Sequence, residues 1–168
     1  MQNHFDLFGL SPLFSIEGEA LERSYREIQS KVHPDRFAHA GDAERRASLQ
    51  WTTRVNEAYR TLKDPVQRAR HILELHGVDV AFETNTAMPP EFLMQQMELR
   101  ETLEDARDAA ALDDLRGNLT REKQSLEKAI AEAIDAKKDY RGAAGLVRKL
   151  QFLNRLDEEI DAAYEGTE

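Results

Sequence analysis

Apolar residues in this chain recur three and four positions apart and nowhere alternate, which excludes half-buried β-strands and restricts the fold to packed helices. Leu21, Tyr25, Ile28 and Val32 form one such stripe, opened by a start signal at Ser15 with Glu17 and Glu19 in the first turn. That helix has to stop at His33, because Pro34 has no amide hydrogen and pushes its predecessor out of the helical region. A short helix over Asp6 to Leu10 is expected before it. Trp51, Val55, Ala58, Tyr59 and Leu62 mark an antiparallel mate that starts near Asp42. Asp64-Pro65 reads as a cap followed by proline at the first helical position, and Gly77 closes the short helix that follows.

Three longer amphipathic segments come next. One runs from Pro90 to about Ala111, a second carries Leu112, Leu115, Leu119, Leu126, Ile130, Ala133 and Ile134, and a third, from about Ala143 to Tyr164, carries Leu146, Leu150, Leu153, Ile160 and Ala163. With short links, their stripes are buried most simply in an antiparallel three-helix bundle. Between the two sets, Gly77 to Pro90 loses periodicity and collects Gly, Asn, Thr and a proline pair. The expected organisation is therefore a helical hairpin unit over residues 1–76, a short semi-rigid linker over 77–90 and a bundle over 91–168.

Charge follows the same division. The residues through His76 hold 11 acidic and 11 basic side chains, so the whole formal charge of −9 falls after them. Such asymmetry points to two units with different partners. An acidic chain is a poor general binder of nucleic acid, whose affinity comes from Lys and Arg on phosphates. The absence of cysteine removes disulfide scaffolds, thiol nucleophiles and sulfur-ligated metals. With a mean hydropathy of −0.66, no membrane-spanning run and no export pattern at the start, a cytoplasmic protein without membrane or nucleic-acid partners is expected.

His33-Pro34-Asp35 falls in the turn between the two antiparallel helices, where functional side chains are commonly displayed. Proline stiffens the turn, so His33 and Asp35 have little freedom left to lose on docking. In the first bundle helix, Phe92, Leu99, Leu103, Ala106 and Ala110 share a core stripe. Leu93, Met94 and Met97 fall on the opposite side, continued by Glu98, Glu101 and Asp105. An exposed Leu/Met patch leading into carboxylates suits a partner that inserts apolar side chains and carries cations. Phe152, off the centre of its own stripe, either extends that patch or edges the core.

Tyr25 to Asp35 (YREIQSKVHPD), followed by Asn56 to Pro65 (NEAYRTLKDP) and Arg68-Ala69, resembles a J-domain, and Phe5 to Leu10 fits the same family. Glu91 to Glu101 (EFLMQQMELRE) and Leu146 to Leu153 (LVRKLQFL) resemble the C-terminal bundle of HscB, the J-type co-chaperone of iron-sulfur cluster assembly. The resemblance implies an all-α protein, an N-terminal J-domain with its HPD loop plus a C-terminal antiparallel three-helix bundle. It implies a co-chaperone that is not itself an enzyme. The bundle would bind an IscU-type scaffold and deliver it to an HscA/DnaK-type chaperone, and the HPD loop would stimulate that chaperone's ATP hydrolysis, promoting cluster transfer.

Carried onto this sequence, His33, Pro34 and Asp35 match the signature, Arg23, Arg26, Lys31 and Arg36 match the basic side chains offered to the ATPase, and Tyr25 joins them. Leu93, Met94, Met97, Glu98, Glu101, Asp105 and Phe152 match the scaffold-binding face, Met97 and Asp105 replacing the commoner Leu and Glu. Glu17, Glu19, Glu22 and Glu27 make the second helix less basic than in many J-domains. No catalytic residue, metal or cofactor is expected, and the chain is expected to be a monomer. Three rivals are weaker. His33 and Asp35 as an acid-base pair lack a nucleophile or phosphate cradle. His33, His39, His71 and His76 lack paired metal-ligand spacing. A J-domain protein for general misfolded clients would be expected to carry a Gly/Phe-rich spacer or a cysteine-rich module; the alternative that stays open is a J-domain co-chaperone for a different protein client.

Overall fold

The computed structural model describes residues 3–80 and 88–167, and residues 81–87 of the expected linker lie outside the described residues. Backbone contacts divide the chain into two compact units between Ile72 and Leu73. Among the described residues there are helices and turns only, so the all-α class expected of the chain is the one observed.

In the first unit, α1 (His4–Leu7) opens with a reciprocal cap. The Asn3 side chain accepts from the Asp6 amide at 2.9 Å, and the Asp6 carboxylate accepts from the Asn3 amide at 3.3 Å. This cap starts the helix earlier than the expected Asp6, and Gly9, at a left-handed φ of 65°, ends it before Leu10. The next helix, α2 (Gly18–Val32), starts later than Ser15, with Glu17 extended at the N-cap. Phe14, buried under the Arg68 guanidinium at 4.7 Å, keeps the preceding segment out of the helix. After α2 the chain makes one 3-10 turn, Pro34–Phe37, and enters α3 (Asp42–Lys63). Asp64 then caps α4 (Pro65–Leu75), its carboxylate accepting from the Val66 amide at 3.0 Å. Gly77, at φ 75°, closes α4 by letting the Val78 amide reach back to the Leu73 carbonyl at 2.8 Å.

Phe5, Leu21, Val55, Ala58, Leu62, Val66 and Ala69 are buried in this unit. Trp51, expected on the same face, is instead 42% exposed, while Ser48 is buried. The 22 residues of α3 outrun the 15 of α2, so the first turns of α3 adjoin the 3-10 turn and extend past the packed stripe.

In the second unit, α5 (Pro90–Asp105) ends well before the expected Ala111. Ala106 turns extended, and Asp108 caps α6 (Ala109–Ala131) by accepting from the Ala111 amide at 2.8 Å. Ala110 therefore belongs to α6, where it is exposed, and not to the α5 core stripe. A wide π-helical turn over Glu132–Ala136 ends α6, and Asp139 caps α7 (Tyr140–Glu165) through the Gly142 amide. Leu112, Leu115, Leu119, Leu153, Leu156 and Ile160 interlock α6 with α7, each worth roughly 1.5–3 kcal/mol of burial. Leu146, expected in that stripe, is half-buried, and Val147 takes the buried position.

Polar ties set the directions of the helices. Arg116 on α6 bonds Asp157 at 3.2 Å and pairs with Asp161, and the Tyr164 hydroxyl donates to Asp113, so α6 and α7 run antiparallel. Phe92 meets Phe152 and Arg100 meets Glu159, so α5 runs along α7 in the same direction. No helix among the described residues is long and apolar enough to cross a membrane.

Candidate functional site

Two separate surfaces gather the residues singled out in the sequence. The first is the tip of the α2–α3 hairpin. His33 ends α2 and opens the 3-10 turn, its Nδ1 accepting from the Asp35 amide at 3.2 Å. Its ring thereby caps the turn and fixes the path of the tripeptide. The Asp35 carboxylate, 93% exposed, stands 3.6 Å from the same nitrogen and projects into solvent. Behind the tip, the Val32 carbonyl accepts from the Ser48 hydroxyl at 2.5 Å and from Thr52 at 3.2 Å. A helix end that would otherwise offer unsatisfied acceptors is thus fastened to α3. Arg36 folds back to the Ser30 carbonyl at 3.0 Å.

Arg23, Arg26, Lys31 and Arg36 are all exposed. Arg26 lies 3.9 Å from Glu22, a weak and screened pair that leaves most of its charge available. Tyr25 is different: half-buried, it stacks on Tyr59 at 4.0 Å and donates to Asn56 at 2.7 Å, while Gln29 donates to its hydroxyl at 3.1 Å. It braces the hairpin more than it projects. The Tyr59 hydroxyl donates to Glu22, and that carboxylate holds the phenol above its ordinary titration range.

The second surface is the outer face of α5. Phe92 is buried and Leu99 and Leu103 pack on the α6–α7 core, which turns Leu93, Met94 and Met97 outward at 44%, 62% and 64% exposure. Glu98, Glu101 and Asp105 continue along this face and are exposed. Lying in the C-terminal half of α5, they add their charge to the negative end of the helix dipole. Two ties flank the core stripe and fix the rotation of α5. Gln95 donates to Glu122 on α6 at 2.6 Å, and Arg100 pairs with Glu159 on α7 at 3.0 Å. Phe152 sits at the α5–α7 seam, half-buried, edge-on to Phe92 at 5.7 Å and beneath the Arg100 guanidinium at 5.5 Å. It is a core-edge aromatic whose remaining exposed part adjoins α5.

The roles of Ser48, Thr52, Asn56, Gln95 and Arg100 in fixing these surfaces escaped the sequence reading. The available signal was short hydroxyls four apart on the packed side of α3, and polar residues bordering the α5 stripe. The histidines are dispersed over other contacts: His71 stacks on His4 at 4.3 Å, and His76 on Tyr140 at 3.8 Å.

Comparison with known proteins gives a consistent result over the whole chain. Residues 88–161 match the family described as the HSCB C-terminal oligomerisation domain. A curated relative, the co-chaperone protein HscB homolog of an Azoarcus species, is 48% identical over 99% of this chain and 96% of its own length. Among solved structures, chaperone HscB from Vibrio cholerae superposes with a TM-score of 0.87 at 35% identity, covering 99% of this chain and 100% of that one. Human co-chaperone protein HscB superposes at 0.93 with 26% identity, over 96% of this chain and 82% of the human one.

Proposed function

Because the chain belongs to the HscB family of J-type co-chaperones of iron-sulfur cluster assembly, we propose that it binds an IscU-type scaffold and hands it to an HscA/DnaK-type ATPase whose hydrolysis it stimulates. The J-domain would span residues 1–76, the linker 77–90 and the scaffold-binding bundle 91–168, in a cytoplasmic monomer. His33, Pro34 and Asp35 would dock on the ATPase, supported by Arg23, Arg26, Lys31 and Arg36, with Tyr25 holding the hairpin in shape. Asp35 has an exposed carboxylate on a fixed backbone, suited to compete for an arginine at an interdomain interface and so to favour the ATPase state that hydrolyses ATP and traps its client. The chain itself supplies no chemistry; its contribution is a shift in its partner's populations.

The observation that carries the client assignment is the outward Leu93-Met94-Met97 trio running into Glu98, Glu101 and Asp105 on a helix whose other side is already packed. An apolar centre with an anionic end selects a partner with an apolar pocket and flanking cations. Phe152 would contribute at the margin. Calorimetric titration of the scaffold into wild type and Leu93→Ala/Met97→Ala tests this. The double variant is expected to bind at least about tenfold more weakly. Unchanged affinity would move the scaffold to another surface and leave the client unidentified.

A further inference from the structure

Six large apolar side chains are exposed among the described residues, and the α5 face accounts for three of them. Two others, Leu49 at 55% and Trp51 at 42%, stand on the turn of α3 that also carries Ser48, the residue bonded to the Val32 carbonyl just before the tripeptide. They do not share a side of the hairpin. Trp51 precedes Val55, Ala58 and Leu62 at helical spacing and so continues the buried stripe of α3, with the Arg54 guanidinium over its ring at 5.3 Å. Leu49 shares a helical line with Arg45, Thr52, Asn56 and Lys63, of which Thr52 and Asn56 bond to α2, and on its outer side it adjoins Gln50, Thr53, Arg54 and Glu57.

On α2, the matching line is Glu22, Arg26, Gln29, His33, again at spacings of four and three. The two lines are joined across the hairpin, Lys63 to Glu22 at 3.9 Å and Asn56 through the Tyr25 hydroxyl to Gln29. Leu49 is thus a large apolar side chain on a polar surface of mixed charge that leads to His33.

We propose that Leu49 is the apolar anchor of the ATPase contact, seated in the Hsp70-type partner when the tripeptide docks; this rests on the reading of the tripeptide given above. Two features favour that occupant. First, the Ser48 and Thr52 bonds to Val32 make Leu49 and the tripeptide one rigid corner, so a partner seated on Asp35 is brought against Leu49 with no further ordering cost. Second, Leu49 lies one turn from Arg45 and adjoins Arg54 and Glu57, a border of mixed charge, whereas the α5 patch runs into the three carboxylates Glu98, Glu101 and Asp105. The two patches therefore differ in charge, which favours different partners for them.

The test is steady-state ATP turnover by the cognate Hsp70-type ATPase as the full-length chain is titrated in. Leu49→Ser is expected to raise the concentration for half-maximal stimulation about tenfold, since a seated Leu is lost, while leaving maximal stimulation intact. Leu49→Met should behave as wild type, as should Trp51→Ser on the opposite flank. Asp35→Asn should remove the stimulation itself. If Leu49→Ser titrates like wild type while Asp35→Asn is inactive, the anchor is wrong and the tripeptide reading stands. Full stimulation by Asp35→Asn would overturn the reading beneath it. Equal losses from Leu49→Ser and Trp51→Ser, or a change in sedimentation of the isolated chain with Leu49→Ser, would also overturn the proposal, the latter pointing to a second copy as the occupant.

Discussion

His4 is the first residue of α1, and its backbone amide has no partner within so short a helix. It donates instead to Nε2 of His71 on α4 at 3.3 Å, and the two rings stack at 4.3 Å over buried Phe5. The bond requires an unprotonated Nε2 on His71, because a protonated nitrogen cannot accept, and the stack disfavours charge on both rings at once. Burial holds the His4 titration below its ordinary value of 6.5, with Glu57 opposing and Arg54 reinforcing the effect from α3. The unfolded chain therefore binds more protons than the folded one between the folded-state value and 6.5. The stabilisation is complete above that range and declines as pH falls through it. Thermal melts at stepped pH should show this decline, and His4→Gln should flatten it; a wild-type melting temperature unchanged across the window would contradict the assignment.

At the same scale, Pro34 declared the end of α2 and the position of the tip from sequence alone, since a missing amide hydrogen is a local property. The fastening of that tip was not legible. Ser48 and Thr52 look like ordinary helix-surface residues until α2 is antiparallel to α3 and its last carbonyls lie against them.

At the scale of the element, α5 is the helix on which the functional reading turns. Its two sides should separate stability from binding. Leu93→Ala, Met94→Ala and Met97→Ala remove exposed atoms and are expected to change unfolding free energy by no more than about 0.5 kcal/mol. Phe92→Ala empties a buried position and should cost about 3 kcal/mol or more in the same urea titration. Comparable losses on both sides would mean that the outward trio is packed. The faces of α5 were readable because periodicity reports which side is apolar. Its end was not: the apolar run through Ala109, Ala110 and Ala111 continues the pattern, and only the Asp108 side chain turning to the Ala111 amide restarts the helix. The same limit applies to α2, where Ser15 is a good cap by type but burial of Phe14 decides the start.

For the whole molecule, the neutral charge balance through His76 and the −9 after it give two units of unlike electrostatic character on one chain. An exposed tip with basic neighbours and an apolar face with acidic neighbours are suited to different partners, and both proposed contacts should weaken with salt. The measurement that tests this most directly is ATP turnover by the cognate ATPase with and without the scaffold. It compares wild type, Asp35→Asn and Leu93→Ala/Met97→Ala/Phe152→Ala. The account predicts that Asp35→Asn loses all stimulation, while the triple variant keeps the stimulation seen without scaffold and loses only the part the scaffold adds. A triple variant that matches wild type in the presence of scaffold would contradict delivery through the bundle.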